Sequence, residues 1–389
     1  MRTQVAVIGA GPAGLLLSHL LHLAGIDSVV VERSSKAHVQ ERIRAGVVEA
    51  PSAQLLREVG LGSRMDAQGL PHHGISLRFD GADHRIALTD LTGSTIMVYG
   101  QQEIVKDLIA AREAADARLF FEVTDVAVHD ATTDAPRLTF RAAHGEPVEL
   151  ECAVIAGCDG FHGVSRTAIP AIHQQTYQRD YPFAWLGVLA ATAPSHHELI
   201  YAHHDQGFAL HSMRSPELTR LYLQVGPDEQ LSAWPDERIW EQLHIRLSAE
   251  GFSLGEGPIV ERSITAMRSF VVEPMRYGRL FLAGDAAHIV PPAGAKGMNL
   301  AIADVRLLAE AVTAFLTGND ERGLDSYGAR CLRRVWRAEH FSWWMTSMLH
   351  QFPDSDDFQR QLQLSQLRYT VSSTAAATSL AENYVGLPF

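Results

Sequence analysis

The chain has 389 residues and a formal charge of −12, from 33 Lys and Arg against 45 Asp and Glu, with 46% hydrophobic and 20% charged residues. That size suits two domains, the composition excludes a disordered chain, and the acidic balance excludes a nucleic-acid-binding body while leaving room for a local basic pocket. The three cysteines, Cys152, Cys158 and Cys331, have no CxxC spacing, which excludes a disulfide scaffold or a cysteine zinc site and suits a reducing, cytoplasmic setting.

Thr3 to Ile8 is a short β-branched run, followed at once by Gly9-Ala10-Gly11-Pro12-Ala13-Gly14 and a helical run from Leu15 to Ala24. Strand, glycine turn and helix in that order are what a dinucleotide site requires. Gly9 permits the tight turn, Gly11 lets the backbone approach a pyrophosphate, and Gly14 lets the helix pack on the sheet. The helix N-terminus then offers free N–H groups to the phosphates. A second strand, Ser28 to Val31, ends at Glu32, placed to accept hydrogen bonds from a ribose. The apolar stretch from Val5 to Gly25 imitates a signal peptide or anchor, but its glycines, Pro12, His19 and His22 argue against both. No other segment approaches about 18 uninterrupted apolar residues, so no membrane partner is expected.

Asp130 to Pro136 reads as a hairpin loop. Ala153 to Arg166 holds a strand ending in Gly157-Cys158-Asp159-Gly160. Gly207 to Arg214 and Arg220 to Val225 read as two strands joined by a turn containing Ser215-Pro216. Paired with residues 214 and 220 opposite, Ser212 faces Tyr222, and all four side chains share one face. A hydroxyl, a phenol and a guanidinium on one face make a carboxylate clamp with Arg214 as its bidentate member. The other reading is a solvated hairpin face with an ordinary surface arginine.

Arg279 to Leu282 has a buried-strand pattern capped by Gly284-Asp285. After Pro291-Pro292, Gly294-Ala-Lys296-Gly297-Met298-Asn299 leads into a helical run from Leu300 to Leu316, a second N-terminus able to stabilise negative charge. Phe341, Trp343, Trp344 and Met348 recur at near-helical spacing and read as intramolecular core. Nineteen histidines raise the question of a metal. No HExxH, HxH or paired Cys/His spacing answers it, since His197-Glu198 is followed by Tyr201 where a second histidine is needed.

The segments 9–14, 153–166 and 279–288 resemble, in order, the three fingerprints of flavoprotein aromatic hydroxylases. Glu41 to Gly46, Val98 to Gln101, Gly284 to Gly297, Phe341 to Thr346 and Glu382 to Pro388 resemble in particular the members that hydroxylate 4-hydroxybenzoate. The resemblance implies FAD held by Gly9, Gly11, Gly14 and Glu32, by Arg42, Arg44 and Gln102, and by Asp159 and Gly160. Gly284, Asp285, Lys296, Gly297, Met298 and Asn299 complete that set, with Asp285 on a ribityl hydroxyl. It assigns the substrate carboxylate to Ser212, Arg214 and Tyr222. It gives the phenol to Tyr201, the proton relay to Tyr384, solvent exchange to His72 near the surface, and a backbone carbonyl near the substrate hydroxyl to Pro292.

Only one GxGxxG is present, so a nicotinamide donor has no Rossmann domain of its own. By resemblance it meets Arg33, His38, Arg44, His162 and Arg268. NADPH-selective members carry Gln after Arg33 and Tyr at position 38, whereas this chain reads Ser34-Ser35-Lys36-Ala37-His38. NADPH and NADH therefore both stay open, with Lys36 and His38 as cations able to attract a 2′-phosphate. The implied reaction is reduction of FAD by NAD(P)H, addition of O2 to give a flavin C4a-hydroperoxide, and hydroxylation of 4-hydroxybenzoate at position 3, giving 3,4-dihydroxybenzoate. Alternatives are a salicylate or 3-hydroxybenzoate hydroxylase, or a flavin-free binding protein of the same fold. The expected fold is α/β and α+β. A Rossmann-like FAD domain (1–71, 98–180 and 268–345) is interrupted by a substrate domain (72–97 and 181–267) with a mainly antiparallel sheet. A helical C-terminal segment, 346–389, carries Tyr384 to the site, and the assembly expected by resemblance is a homodimer.

Overall fold

The computed structural model describes residues 1–42 and 46–389. Val5–Ile8, four buried residues, lies at the centre of a six-stranded sheet. It pairs in parallel with Ser28–Val31 on one side and Val154–Gly157 on the other. Leu280–Leu282 and Arg118–Phe120 extend the parallel set, and only the short Arg276–Tyr277 edge is antiparallel. Strands buried on both faces read as unbroken apolar runs, which is the pattern of VAVI and SVVV. The helix Pro12–Leu23 starts with proline in its first turn, where a missing N–H costs nothing. Gly297–Gly318 packs against it, and Arg322–Leu349 packs on Gly297–Gly318 in turn. Asp130 to Pro136 joins Thr124–His129 to Arg137–Arg141 in a separate antiparallel sheet, as its composition predicts.

An eight-stranded, mainly antiparallel sheet forms the other half. Its backbone is a pair of long strands, Gln175–Ala190 and Ile259–Glu273, running from one half of the molecule into the other. Their register shifts between Asp180 and Ala184. Beyond that break the side chains alternate between two cores, as the period of a strand demands. Ala184, Leu186 and Val188 join Ile239 and Leu243 of the helix Asp236–Arg246 on one face. Phe183 and Trp185 join Tyr201, Phe341 and Tyr384 on the other.

The chain leaves the long helix at His350, returns through Asp357–Ser372, and ends on the helix Thr374–Val385. These last helices cover the sheet face that carries Tyr201. Phe341 and Met348 are core, as their spacing predicts, and Trp344 packs against it. Trp343 is a correction: it is 39% exposed, because the helix turns that position toward solvent. Among the described residues no helix is long and apolar enough to cross a membrane.

Candidate active site

The glycine turn makes a cleft from backbone. Gly9 has φ +103°, and a Cβ there would stand 2.4 Å from the Cys158 carbonyl oxygen, so the first fingerprint packs directly on the second. A Cβ on Gly14 would lie 2.0 Å from the Gly9 oxygen, whereas one on Gly11 would meet nothing within 4 Å. The middle glycine therefore faces open space while its neighbours are closed in. Gly284, at φ +61°, brings the third fingerprint against Ala13 at the start of the same helix. Asp285 follows it, exposed, and its carboxylate accepts no hydrogen bond within the described chain. Gly297 opens the second helix N-terminus, again with nothing within 4 Å of a Cβ.

This donor and acceptor set fits a flavin dinucleotide: two open helix N-termini for anionic charge, a free carboxylate, and a buried Gln102 amide oxygen left without a partner. Glu32 accepts from Ala10 N at 2.9 Å and Ser34 N at 2.8 Å, which fixes the turn and leaves lone pairs for a ribose. Gly160 takes φ +74° at the tip of the second fingerprint. Asp159 beside it accepts from Ser165 N and Oγ with one carboxylate oxygen, both at 2.9 Å, and its other oxygen, Oδ1, is buried without a partner. Lys296, expected at the cofactor, has partners within the chain. It is buried, donates to Glu49 Oε1 at 2.7 Å and to the Asn383 carbonyl, and so ties the second helix N-terminus to the C-terminal helix. Asn299 bonds Glu49 N, the Val47 carbonyl and the Ala295 carbonyl, while Met298 is buried beside it. Arg42 is exposed; Arg44 lies outside the described residues.

The substrate hairpin forms with a different register from the expected one. Ser212 pairs with Arg220 and Leu210 with Tyr222, and a bulge falls between Met213 and Ser215. The slip is by two residues, and an even slip keeps each side chain on its face. Arg214 sits on the bulge and turns back so that Nη1 donates to Ser212 Oγ and to the Met213 carbonyl, each at 2.9 Å. Its Nε is buried and unpartnered. Burial lowers its pKa, and the neighbouring Tyr222 phenol acts against that. A guanidinium held on one side with an unsatisfied N–H on the other is a receptor for a carboxylate.

Opposite this edge, Tyr201 and Tyr384 place their hydroxyls 2.5 Å apart, both fully buried, across 183 residues of sequence. Burial raises both phenols' pKa, so they stay neutral, and Arg214 and Tyr222 both act electrostatically on Tyr201. Trp185 and Phe208 bridge the two ends: ring centroids are 4.9 Å from Tyr222 to Trp185, 5.2 Å to Phe208 and 6.3 Å on to Tyr201. The Pro292 carbonyl accepts from Ala295 N at 2.9 Å in a tight turn and keeps one lone pair.

His72 is the clearest departure from the sequence reading. It is 1% exposed, not near the surface, and neither ring nitrogen has a partner. Leu70–His72 pairs with Ile96–Val98, which carries the ring inward, and burial takes its pKa down to about 4. No hydrogen bond joins it to the tyrosine pair among the described residues.

Two of the residues expected to meet the donor, His162 and Arg268, come together around one ring. Exposed His162 lies edge-on to Phe161 at 5.0 Å, and the Arg268 guanidinium is 5.1 Å from the same ring. Arg33 and His38 are exposed at the end of the second strand and on Lys36–Glu41. Lys36, expected to be free for a phosphate, is paired with Glu113 at 2.6 Å. Among the described residues no group of three or more His, Cys, Asp or Glu side chains could hold a metal.

Sequence reading missed the groups behind the loops. Asp304 accepts from Gly284 N at 3.0 Å and lies 2.6 Å from His288 Nε2, both side chains 1% exposed. A lone acid on the buried face of the apolar run 297–318 was the signal. His350 accepts from Trp185 Nε1 at 2.7 Å and so fixes the Trp185 ring; nothing in its sequence context marks it.

A family model described as an FAD binding domain matches residues 2–342. Over 391 aligned residues, all of this chain and 96% of the relative, the sequence is 49% identical to a p-hydroxybenzoate hydroxylase of Acinetobacter baylyi. It is 24% identical to a 3-(3-hydroxy-phenyl)propionate/3-hydroxycinnamic acid hydroxylase of Mycobacterium avium, covering 84% of this chain and 57% of that one. The fold matches p-nitrophenol 4-monooxygenase from Pseudomonas putida with a TM-score of 0.86, at 19% identity and 99% coverage of both chains. The chain therefore belongs to the FAD-binding flavoprotein aromatic hydroxylases, the family of p-hydroxybenzoate hydroxylase.

Proposed function

We propose that this chain hydroxylates 4-hydroxybenzoate at position 3, using FAD, O2 and NADPH or NADH, to give 3,4-dihydroxybenzoate. One observation carries the reading: an arginine clamp and a buried, hydrogen-bonded tyrosine pair, spanned by the rings of Trp185 and Phe208. A para-hydroxylated benzoate has a carboxylate and a phenol at opposite ends of one ring. Identity of 49% to p-hydroxybenzoate hydroxylase along the whole chain supports the same choice.

Arg214, Ser212 and Tyr222 bind the carboxylate and set the ring's position. Tyr201 meets the phenol oxygen. Each tyrosine hydroxyl both donates and accepts, so reversing the donor order of the Tyr201–Tyr384 pair moves the substrate's proton from its oxygen to the Tyr384 side. His72 exchanges that proton with solvent. The phenolate so formed is a far stronger carbon nucleophile than the phenol, which ionises only near pH 10 when free. FAD, when bound, supplies reducing equivalents from the nicotinamide and activates oxygen for transfer to the ring. Gly9, Gly11, Gly14, Glu32, Asp285 and the N-terminus at Gly297 hold it, and the C-terminal helices exclude water from the pocket.

Arg33, His38, His162 and Arg268 meet the donor at the surface. The chain divides into an FAD domain of 1–71, 98–180 and 268–345, a substrate domain of 72–97 and 181–267, and the C-terminal segment from 346. It acts in the cytoplasm as a homodimer. Apolar Phe358, Leu362 and Tyr369, spaced along one face of the helix 357–372 and 71%, 56% and 56% exposed, support an assembled state.

The test is NAD(P)H oxidation by the purified yellow protein across a panel of hydroxybenzoates, with product identified by chromatography. 4-Hydroxybenzoate should stimulate oxidation most and yield 3,4-dihydroxybenzoate. Equal or greater coupled turnover of salicylate or 3-hydroxybenzoate would overturn the substrate assignment.

A further inference from the structure

Glu198 is a buried carboxylate with no part in the clamp, the tyrosine pair or the cofactor cleft. Its side chain is 3% exposed, and Arg85 grips it with Nε at 2.7 Å and Nη2 at 2.8 Å. The parallel register of Leu199 with Ile75 sets Glu198 beside Gly74, two residues beyond His72. Arg85 reaches it by lying flat over Gly74, where a Cβ would stand 2.7 Å from Nη2. A glycine here is a passage for the guanidinium.

We infer that Glu198, held by Arg85, is a positioning residue for proton exchange at His72: the field of its carboxylate at the buried imidazole sets the pH at which His72 takes up and releases the substrate's proton. The inference rests on the reading above in which His72 exchanges the phenol proton. The groups acting on His72 are few. Burial disfavours its cation, and His73, His196 and His197 oppose it too, as does His211. Among the described residues, the carboxylate that acts on it in favour of the cation is Glu198. Neither His72 nitrogen is committed to a protein partner, so the ring is free to change its protonation. Outward from Glu198, His196 is half-buried, stacked at 4.6 Å on exposed His197, and carries the cluster to solvent. Arg85 moderates the carboxylate: it neutralises Glu198 and adds a positive charge of its own near the ring.

The two halves of the pair therefore act with opposite sign. Removing Glu198 makes His72 harder to protonate; removing Arg85 makes it easier. The experiment mixes the holoenzyme with 4-hydroxybenzoate in weak buffer containing a pH-indicator dye and follows the rate of proton release from about pH 3 to pH 8, a range that brackets the low His72 value. In Arg85→Gln the pH of half-maximal rate should rise by about one unit, the size expected of a charge roughly 10 Å away at an effective dielectric of about 20. In Glu198→Gln it should fall. In the double variant it should lie between the two single variants, because the opposite charges of Arg85 and Glu198 both act on the ring. The Arg85 side chain is 45% exposed, so its variant does not depend on repacking a core. A midpoint that stays put or falls in Arg85→Gln, or one that stays put or rises in Glu198→Gln, overturns the inference. Wild-type enzyme that releases no proton on binding substrate overturns the phenol reading beneath it, a distinct outcome.

Discussion

The nucleotide cleft and the substrate pocket are built from different material. The cleft is made of backbone: glycines at 9, 11 and 14, a glycine at φ +61° before Asp285, and two helix N-termini aimed into open space. The pocket is made of side chains from strands 199–202, 209–215 and 218–225 and the last helix, and its central contact joins residues 183 positions apart. A backbone site needs particular residues at fixed local spacing. A side-chain site needs only that the fold bring compatible groups together.

Breaking the cleft should have the largest effect. Gly11→Val meets nothing in the protein, so the chain should fold, yet it fills the space where a pyrophosphate must approach. The expected outcome is a folded, colourless protein by circular dichroism and visible absorbance. Yellow protein with normal FAD content would remove the backbone account of the cleft. Breaking the clamp comes next. Arg214→Ala should lower kcat/KM for 4-hydroxybenzoate by about 10³-fold, the cost of leaving a buried carboxylate unpaired. Arg214→Lys should recover only part, since an ammonium lacks the fork. Tyr384→Phe follows, with a loss of about 10²-fold in kcat, little change in KM, and a bound substrate that stays a phenol.

The contact between cleft and core can be sharpened through pH. His288 lies beside Asp304, whose charge raises its pKa despite burial. A histidine held above its unfolded pKa stabilises the fold fully below the unfolded value, and that stability is lost as pH rises through the folded value. Melting temperature should therefore fall as pH climbs above the ordinary histidine range, and Asp304→Asn should abolish that slope while costing about 3 kcal/mol at low pH. An unchanged slope would mean that the pH dependence does not come from this pair. The smallest effect concerns the donor. With Lys36 tied to Glu113, discrimination between NADPH and NADH in kcat/KM should stay below about 100-fold, near 3 kcal/mol.

The same contrast explains what the sequence made legible. Val5–Ile8, the turn after it, Ser28–Val31 and the Gly284-Asp285 corner are local patterns, and each stands where its residues predict. The hairpin carrying Ser212 and Tyr222 was legible as two strands. Its register was not, because the bulge after Met213 depends on packing and leaves no compositional mark. His72 shows the limit most plainly: histidine is indifferent between surface and interior, and only pairing with Ile96 decides that it goes inside. Lys296 likewise looks like a cation for the cofactor until Glu49 claims it from 247 residues away.

The central claim is that a neutral, buried tyrosine pair facing an arginine-held ring draws the proton from a phenol. An ultraviolet difference titration of 4-hydroxybenzoate bound to the holoenzyme tests it directly. The bound ligand should show the phenolate spectrum at a pH well below that at which it ionises in water, and Tyr201→Phe should restore the phenol spectrum. A ligand that ionises in the site no more readily than free in solution would contradict it.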